Sequence, residues 1–353
     1  MMGAMHEDPV SQRQIAEHLN LSTATVSRSL RNDSSINPAT RARVIEAAGK
    51  LGYQLRASAR FSGPFTNRKE MLTVGVFIGH PAGFRGDPSS AGQEILAGLS
   101  DASARKNTVL TVHFVPPEEA GRILDPAGQP VAMQAGKLAG LILLYGFSER
   151  IVAGLSRQLP CVSIVHHHPE LNVDCIDTDQ FGAVARLVGH LRGLGHRQIG
   201  FLSWGHGLSW ERRRFHGYMQ GLVDCDLAYD PTRVLNLNGR GLDAEQEADI
   251  VAGLAERGVT AWVCAADHVG YHLCRRLQRR GIAVGKDISI TGYDGMQPPP
   301  DCPPLTTIRV PFQEMGYAAL RRLLYRIEEP AALARDILLR SEFVEGKTTG
   351  LPA

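Results

Sequence analysis

The stretch NLSTATVSRSL, residues 20–30, holds two leucines, one valine, a crowd of short side chains and a single arginine. Serine and threonine are middling helix formers, because their hydroxyls compete for backbone partners. The spacing nevertheless predicts a helix. Ser22 is a candidate N-cap, and Val26 and Leu30 stand four apart on one face. Thr23, Ala24, Thr25, Ser27 and Arg28 are left to form the other side. Short side chains let a helix backbone come close to another molecule, and the arginine adds reach.

The flanks complete the motif. In SQRQIAEHL (11–19), Ser11 is a cap, and Ile15, Ala16 and Leu19 make an apolar stripe that Asn20-Leu21 breaks. In INPATRARVIEAAGKLGY (36–53), Asn37 is a cap and Pro38 takes the first helical position, where its missing N–H does no harm. Val44, Ala47, Ala48 and Leu51 line the inner face, and Gly52 stops the helix. Two short helices joined by a tight turn predict a helix-turn-helix, whose second helix enters the DNA major groove. Hydroxyls there meet bases or phosphates, the Ala24 methyl fits a thymine methyl, and Arg28 reaches a guanine or a phosphate. Charge agrees. The whole chain carries a net +2, yet residues 10–70 hold ten Lys or Arg against four Asp or Glu. A basic end on a neutral body points to a polyanionic partner for that end.

STATVSRSLRN (22–32), INPATRARVIEAAGKLGY (36–53) and ASAR (57–60) closely resemble the head piece of the lactose-repressor (LacI/GalR) family of bacterial transcription regulators. The resemblance implies DNA contacts from Ser11 and Gln12, from Ser22, Thr23, Ala24, Thr25, Ser27 and Arg28, from Asn37, and from Tyr53, Arg56, Ala57, Arg60 and Phe61. It also implies a hinge helix that inserts a leucine into the minor groove as an apolar wedge. This chain departs there. QLRASARFSGP (54–64) has Leu55-Arg56 where the family has Pro-Asn, and Ser62 falls at the wedge position beside Phe61.

From residue 71 the chain alternates strand and helix. LTVGVFI (72–78) reads as a parallel strand buried on both faces. AGQEILAGLSDASARKN (91–107) reads as a helix. TVLTVHFV, LAGLILLY and PCVSIVHH follow as strands, and the alternation repeats through DISITGYD (287–294). So many βα steps predict two doubly wound α/β subdomains, with a ligand at the carboxyl ends of the strands. CIDTDQFGAVARLVGHLRGLGHRQIGFL (175–202), ERRRFHGY (211–218), TAWVCAADHVGY (260–271), DISITGYDG (287–295) and PPLTTIRVPFQEMGYAAL (303–320) resemble the same family's core, which is like a periplasmic sugar-binding protein.

That resemblance implies a helix-turn-helix domain over 1–55, a hinge and linker over 56–70, and an effector-binding and dimerisation core over 71–345. The core would divide into 71–176 with 311–328 and 178–308 with 331–345, the chain crossing near 176–178, 308–311 and 328–331. It implies effector contacts from Asp294 and Arg214, where a carboxylate and a guanidinium fork suit sugar hydroxyls. Asp267, at another strand end, follows Ala266 where the family commonly has asparagine. Trp204 and Trp210 are candidates to stack on a sugar face, and His80 and Phe84 lie in the first βα loop. The apolar side of residues 91–104 is expected at a dimer contact. The expected protein is a cytoplasmic, nucleoid-associated homodimeric regulator that binds a pseudo-palindromic operator and a small polar effector, a sugar or sugar derivative.

Other chemistry finds little support. The six cysteines (161, 175, 225, 264, 274, 302) show no C-x-x-C spacing and read as buried free thiols. In VHHHPE (165–170) three successive histidines point in different directions with no Cys or acid at ligand spacing, so no metal is expected. No phosphate-binding glycine loop or G-x-S-x-G elbow occurs, so no cofactor and no enzyme activity are expected. A solute-binding protein, or a sugar-processing enzyme on the same core, is the alternative. The first would need an export signal, which MMGAMHEDPVSQRQ (1–14) lacks. The second would need a catalytic pair.

Overall fold

The structure is a computed structural model. It describes residues 10–30, 33, 35–51, 53, 71–79, 91–116, 119–205, 208–237 and 241–352. The chain forms two compact units. The first runs to Ile176 and takes in Phe312–Ile337; the second holds Asp177–Pro311 and 338–353.

The first unit opens with three helices, α1 (Gln12–Leu19), α2 (Thr23–Leu30) and α3 (Pro38–Lys50). Ser11 and Gln14 form a reciprocal capping box at the start of α1. Asn20 ends it in the left-handed region at φ 53°, which asparagine tolerates better than most residues. Ser22 Oγ accepts the Thr25 N–H at 3.0 Å and so caps α2. Ile15, Ala16, Val26, Leu30, Val44, Ala47 and Ala48 form a core of their own between these helices.

The α/β part follows, with β1 (Leu72–Gly79), α4 (Ala91–Arg105), β2 (Thr108–Val115), α5 (Val131–Gln134), β3 (Leu138–Leu144), α6 (Glu149–Ser156), β4 (Cys161–Ile164) and β5 (Asp174–Thr178). Later in the chain come α11 (Phe312–Glu328) and β11 (Asp336–Leu339). The sheet order is β11-β5-β4-β3-β1-β2, and the β1–β2, β1–β3, β3–β4 and β4–β5 pairs are parallel. Phe77, Leu141, Leu143, Val152, Leu155 and Cys161 belong to one packed core cluster in this part. Strands buried on both faces need apolar residues throughout, which is why LTVGVFI does not alternate.

Helix α4, whose apolar side is expected at a dimer contact, also packs within the chain. In the single chain, α4 packs against both α11 and α3. Gly98 and Gly316 permit the first contact, since a Cβ at either would overlap the Gln313 or Ile95 carbonyl. In the second, buried Arg41 of α3 donates to the Ser100 carbonyl at 3.2 Å. It also donates to the Asp33 and Ile36 carbonyls at 3.0 and 2.8 Å.

The second unit contains α7 (Gln180–Gly193), β6 (Ile199–Leu202), α8 (Ser209–Asp224), β7 (Val234–Leu235), α9 (Ala244–Ala255), β8 (Ala261–Cys264), α10 (Asp267–Arg279), β9 (Ser289–Thr291), β10 (Thr307–Arg309) and β12 (Glu342–Val344). Its main sheet is parallel, in the order β7-β6-β8-β9. β10 and β12 pair antiparallel.

Two boundaries differ from the expected ones. The third passage between units follows Ile337, later than residues 328–331. Before leaving, the chain adds β11 to the sheet edge, where the Cys175 N–H donates to the Arg335 carbonyl at 3.0 Å. Buried Asp174 anchors this return: it accepts from Arg335 N–H and pairs with Arg322 and Arg326 of α11. The second unit also extends past residue 345. Thr348 is fully buried, its hydroxyl donates to the Ile290 carbonyl, and its carbonyl accepts the Ile290 N–H. The tail thus satisfies the backbone of β9, which would otherwise end unpaired.

Candidate functional site

Two sites follow from this framework. The first is the outer surface of α2. Val26, Ser29 and Leu30 turn inward, whereas Ser22, Thr23, Ala24 and Arg28 are exposed, and Thr25 and Ser27 are half-buried. The amphipathic stripe leaves the short side chains and one arginine facing outward. Several other sequence candidates are partly committed to the fold. Ser11, Ser22 and Asn37 cap helices, Asn37 Oδ1 accepting the Ala39 N–H at 2.8 Å. Gln12 on α1 donates to the Tyr53 hydroxyl at 3.0 Å, which ties the end of the third helix to the first. A capped helix N-terminus with a short polar side chain can also meet a phosphate. Arg56, Ala57, Arg60 and Phe61, with the hinge departure at Ser62, lie outside the described residues, as do His80 and Phe84.

The second site is a polar constellation within the second unit, centred on Arg214. Trp210, Arg214 and Tyr218 recur at i, i+4, i+8 on α8 and share its inner face. The Arg214 guanidinium lies between two rings, 3.8 Å from the Tyr293 centroid and 4.5 Å from that of Trp210. Its Nε donates to Gln180 Oε1 at 3.0 Å, and Nη1 donates to the Ala265 carbonyl. Nη2 donates to Asp294 Oδ1 at 3.2 Å. These bonds use three of the five N–H donors of an arginine. Gln180 is held in turn by both oxygens of buried Asp177, at 2.9 Å each.

Asp294 follows the turn after β9, and its backbone is unusual. Its φ is 129°, a region that disfavours residues with a Cβ. Hydrogen bonds hold it there: its N–H donates to the Ile308 carbonyl at 2.8 Å, and its carbonyl accepts the Val310 N–H at 3.1 Å. The Asp294 side chain is 14% exposed and that of Arg214 7%. Burial pushes the Asp294 carboxyl above the usual carboxylate range; Arg214 opposes this and the nearby Asp267 adds to it. Burial raises Asp267 as well, against the hydrogen bonds it accepts. One guanidinium thus compensates two enclosed carboxyl groups.

The head-piece helices and this constellation meet the comparisons with known proteins at both ends of the chain. Residues 13–55 match the family model described as bacterial regulatory proteins, lacI family, and residues 188–349 match that of the periplasmic binding protein-like domain. The chain thus joins a DNA-binding domain of the lacI type to a periplasmic binding protein-like domain. It is 27% identical over 360 residues to the HTH-type transcriptional repressor CytR of Escherichia coli strain K12, the match covering 100% of both chains. Its fold is similar to that of the lac repressor dimer bound to operator and the anti-inducer ONPF, with TM-score 0.65 and 23% identity over 97% of this chain and 100% of that one. It is equally similar to the transcriptional regulator CelR in complex with cellobiose, with TM-score 0.65 and 20% identity over 96% and 99%.

The second unit puts its other candidates to different uses. Asp267 is wholly buried. Its oxygens accept from the Thr307 hydroxyl and the Met296 N–H, both at 2.6 Å. This corrects its expected effector contact: at the first turn of α10 it fastens the loop that carries Asp294. Trp210 is buried as the cover on Arg214, not as an open stacking surface. Trp204 is half-buried and meets His268 edge to face at 4.4 Å. The sequence reading missed Gln180, Tyr293 and Glu211. Buried Glu211 accepts from Ser203 Oγ and from the N–H groups of Trp204, Gly205 and Leu208, which ties the end of β6 to the start of α8. Glu211 stands at the N3 position of α8 and reaches back to the Leu208 N–H, but leucine at the N-cap supplies no capping side chain, so no local pattern marked it. Among the described residues, no helix is long and apolar enough to cross a membrane.

Proposed function

We propose that this repressor senses a small polar molecule, a sugar or sugar derivative, at the Arg214–Asp294 constellation, and that occupancy changes the affinity of a homodimer for a pseudo-palindromic operator in the cytoplasm. The observation that carries this reading is the geometry of Arg214. Its guanidinium is fixed by two rings and three hydrogen bonds, with two N–H donors to spare. Beside it, Asp294 keeps a partly exposed carboxylate on a strained backbone. A rigid donor fork next to an acceptor suits vicinal hydroxyls, and pre-organisation lowers the cost of binding. The cellobiose complex of the structurally similar CelR supports a carbohydrate. Effector and operator are then coupled by a free energy of typically ~1–3 kcal/mol.

On the DNA side, α2 lies in the major groove, with Thr23, Ala24 and Arg28 toward base edges. Two head pieces read successive half-sites about one helical turn apart. The test is operator binding to DNA upstream of the chain's own operon, measured across salt concentrations and with a panel of mono- and disaccharides. Sequence-selective binding that weakens with salt, and that one class of sugar changes at least fivefold, is expected. Binding without sequence preference, or without any response to the panel, would contradict the proposal. In the same assay, Arg28→Ala is expected to weaken operator binding by about 1–3 kcal/mol; an unchanged affinity would remove Arg28 from the reading face.

A further inference from the structure

The histidine run after β4 meets partners in the fold that its sequence neighbourhood does not contain. The chain leaves β4 through Val165 at φ 71°, a costly conformation for a β-branched residue. Two residues on, His167 Nδ1 lies 2.8 Å from Asp336 Oδ2 on edge strand β11. Cys175, on the neighbouring strand β5, completes a triangle. One imidazole nitrogen, the thiol sulfur and one carboxylate oxygen all lie within 4.8 Å of one another.

We propose that His167, Cys175 and Asp336 form a binding site for a thiophilic divalent cation of the zinc type, which fastens edge strand β11 to the sheet. The donor set is the first argument. Nitrogen, thiolate sulfur and one carboxylate oxygen suit zinc, whereas magnesium and calcium take sets made of oxygen alone. Thiolate and carboxylate together balance the charge of the cation, and water takes the fourth position of a tetrahedron. Binding releases the thiol proton to solvent, and the imidazole keeps its remaining proton on the nitrogen that does not bind.

Rigidity is the second argument. The Cys175 N–H is bonded to the Arg335 carbonyl, and the Arg335 N–H to Asp174 Oδ1 at 2.8 Å. Asp174 is itself clamped by Arg322 and Arg326, so β5 and β11 are held in register beside the site. A tetrahedral zinc sets its nitrogen, oxygen and sulfur ligands about 3.3–3.5 Å apart. A bound zinc therefore opens the 2.8 Å His167–Asp336 pair by about half an ångström and closes the edges to Cys175, which lie within 4.8 Å, by no more than about 1.5 Å. The Asp336 side chain is 57% exposed and has room to adjust, while that of His167 is 7% exposed and Cys175 is buried. The exposed carboxylate is also the way in for the ion.

The test uses the full chain, stripped with a chelator and titrated with Co(II) and then Zn(II). One Co(II) per chain, with a thiolate-to-cobalt charge-transfer band that Zn(II) abolishes, is expected. Cys175→Ser should remove the band, and Asp336→Ala and His167→Ala should each weaken binding at least tenfold. Cys225→Ser and Cys302→Ser, which change the two partly exposed thiols, should leave it. Zn(II) should raise the melting temperature of the unaltered chain but not of Asp336→Ala. Absence of the band, or a band that survives Cys175→Ser, would overturn the site. If Cys175→Ser does not fold, unchanged affinity in Asp336→Ala, an exposed position, would overturn it equally.

Discussion

Replacing Arg214 with alanine is expected to abolish the response to effector and to destabilise the second unit by about 3–5 kcal/mol, the usual result of removing one partner from a buried ion pair. The loss arises from what remains. Asp294 and Asp267 would stay enclosed without the cation that opposes their burial, and the Tyr293 and Trp210 rings would lose the group between them. Both carboxyls titrate higher folded than unfolded. Their contribution to stability is therefore complete below the ordinary carboxylate range and is lost as pH rises through the folded values. The melting deficit of Arg214→Ala should accordingly shrink as pH is lowered from about 8 to about 5. Asp294→Gly separates binding from folding. Glycine adopts φ 129° without a Cβ penalty and removes one of the two carboxyl groups. Its melting temperature should fall far less than that of Arg214→Ala, operator binding should persist, and the effector response should vanish. A normal effector response in either variant would refute the role given to this pair.

Ile15→Ala is expected to abolish operator binding while leaving effector-dependent melting of the α/β core intact. Ile15 is fully buried in a cluster of seven apolar residues that holds the three head-piece helices together. Truncating a buried isoleucine costs about 2–5 kcal/mol. A module this small has only about 3–5 kcal/mol to lose. The helix that presents Thr23, Ala24 and Arg28 would lose its support, because Val26 and Leu30 pack in the same cluster. The measurement pairs operator affinity with a thermal scan followed by two probes, one for each part. Operator affinity within threefold of the parent chain would mean that α2 does not depend on this core for its presentation.

The head piece was legible because its information is local. Ser11, Ser22 and Asn37 announce helix starts to residues two or three positions away, and Val26 with Leu30 sets a helical period. The strand-helix alternation of the core was legible for the same reason, each parallel strand being a short apolar run between helices. Short pieces escaped. β11 and β12 are three or four residues long with exposed or half-buried side chains, and β10 is no longer. Such strands carry no hydrophobic pattern, and their existence depends on an edge that comes from elsewhere in the chain.

At the second site, Arg214 and Asp294 could be named because each stands at a recognisable place in its own motif. Which of the polar residues near them faces a ligand could not. Asp267 and Asp294 look alike in sequence, both acids at strand ends, and only the fold encloses one against Thr307 and Met296 while leaving the other beside Arg214. By itself the sequence determined the helix-turn-helix, its outward side chains and the layered α/β plan, since these rest on caps and periodicities spanning a few residues. Tertiary structure alone decided which acid meets the arginine, what covers α4, and that His167, Cys175 and Asp336 converge. Those outcomes depend on contacts between segments far apart in the chain, and no local pattern encodes them.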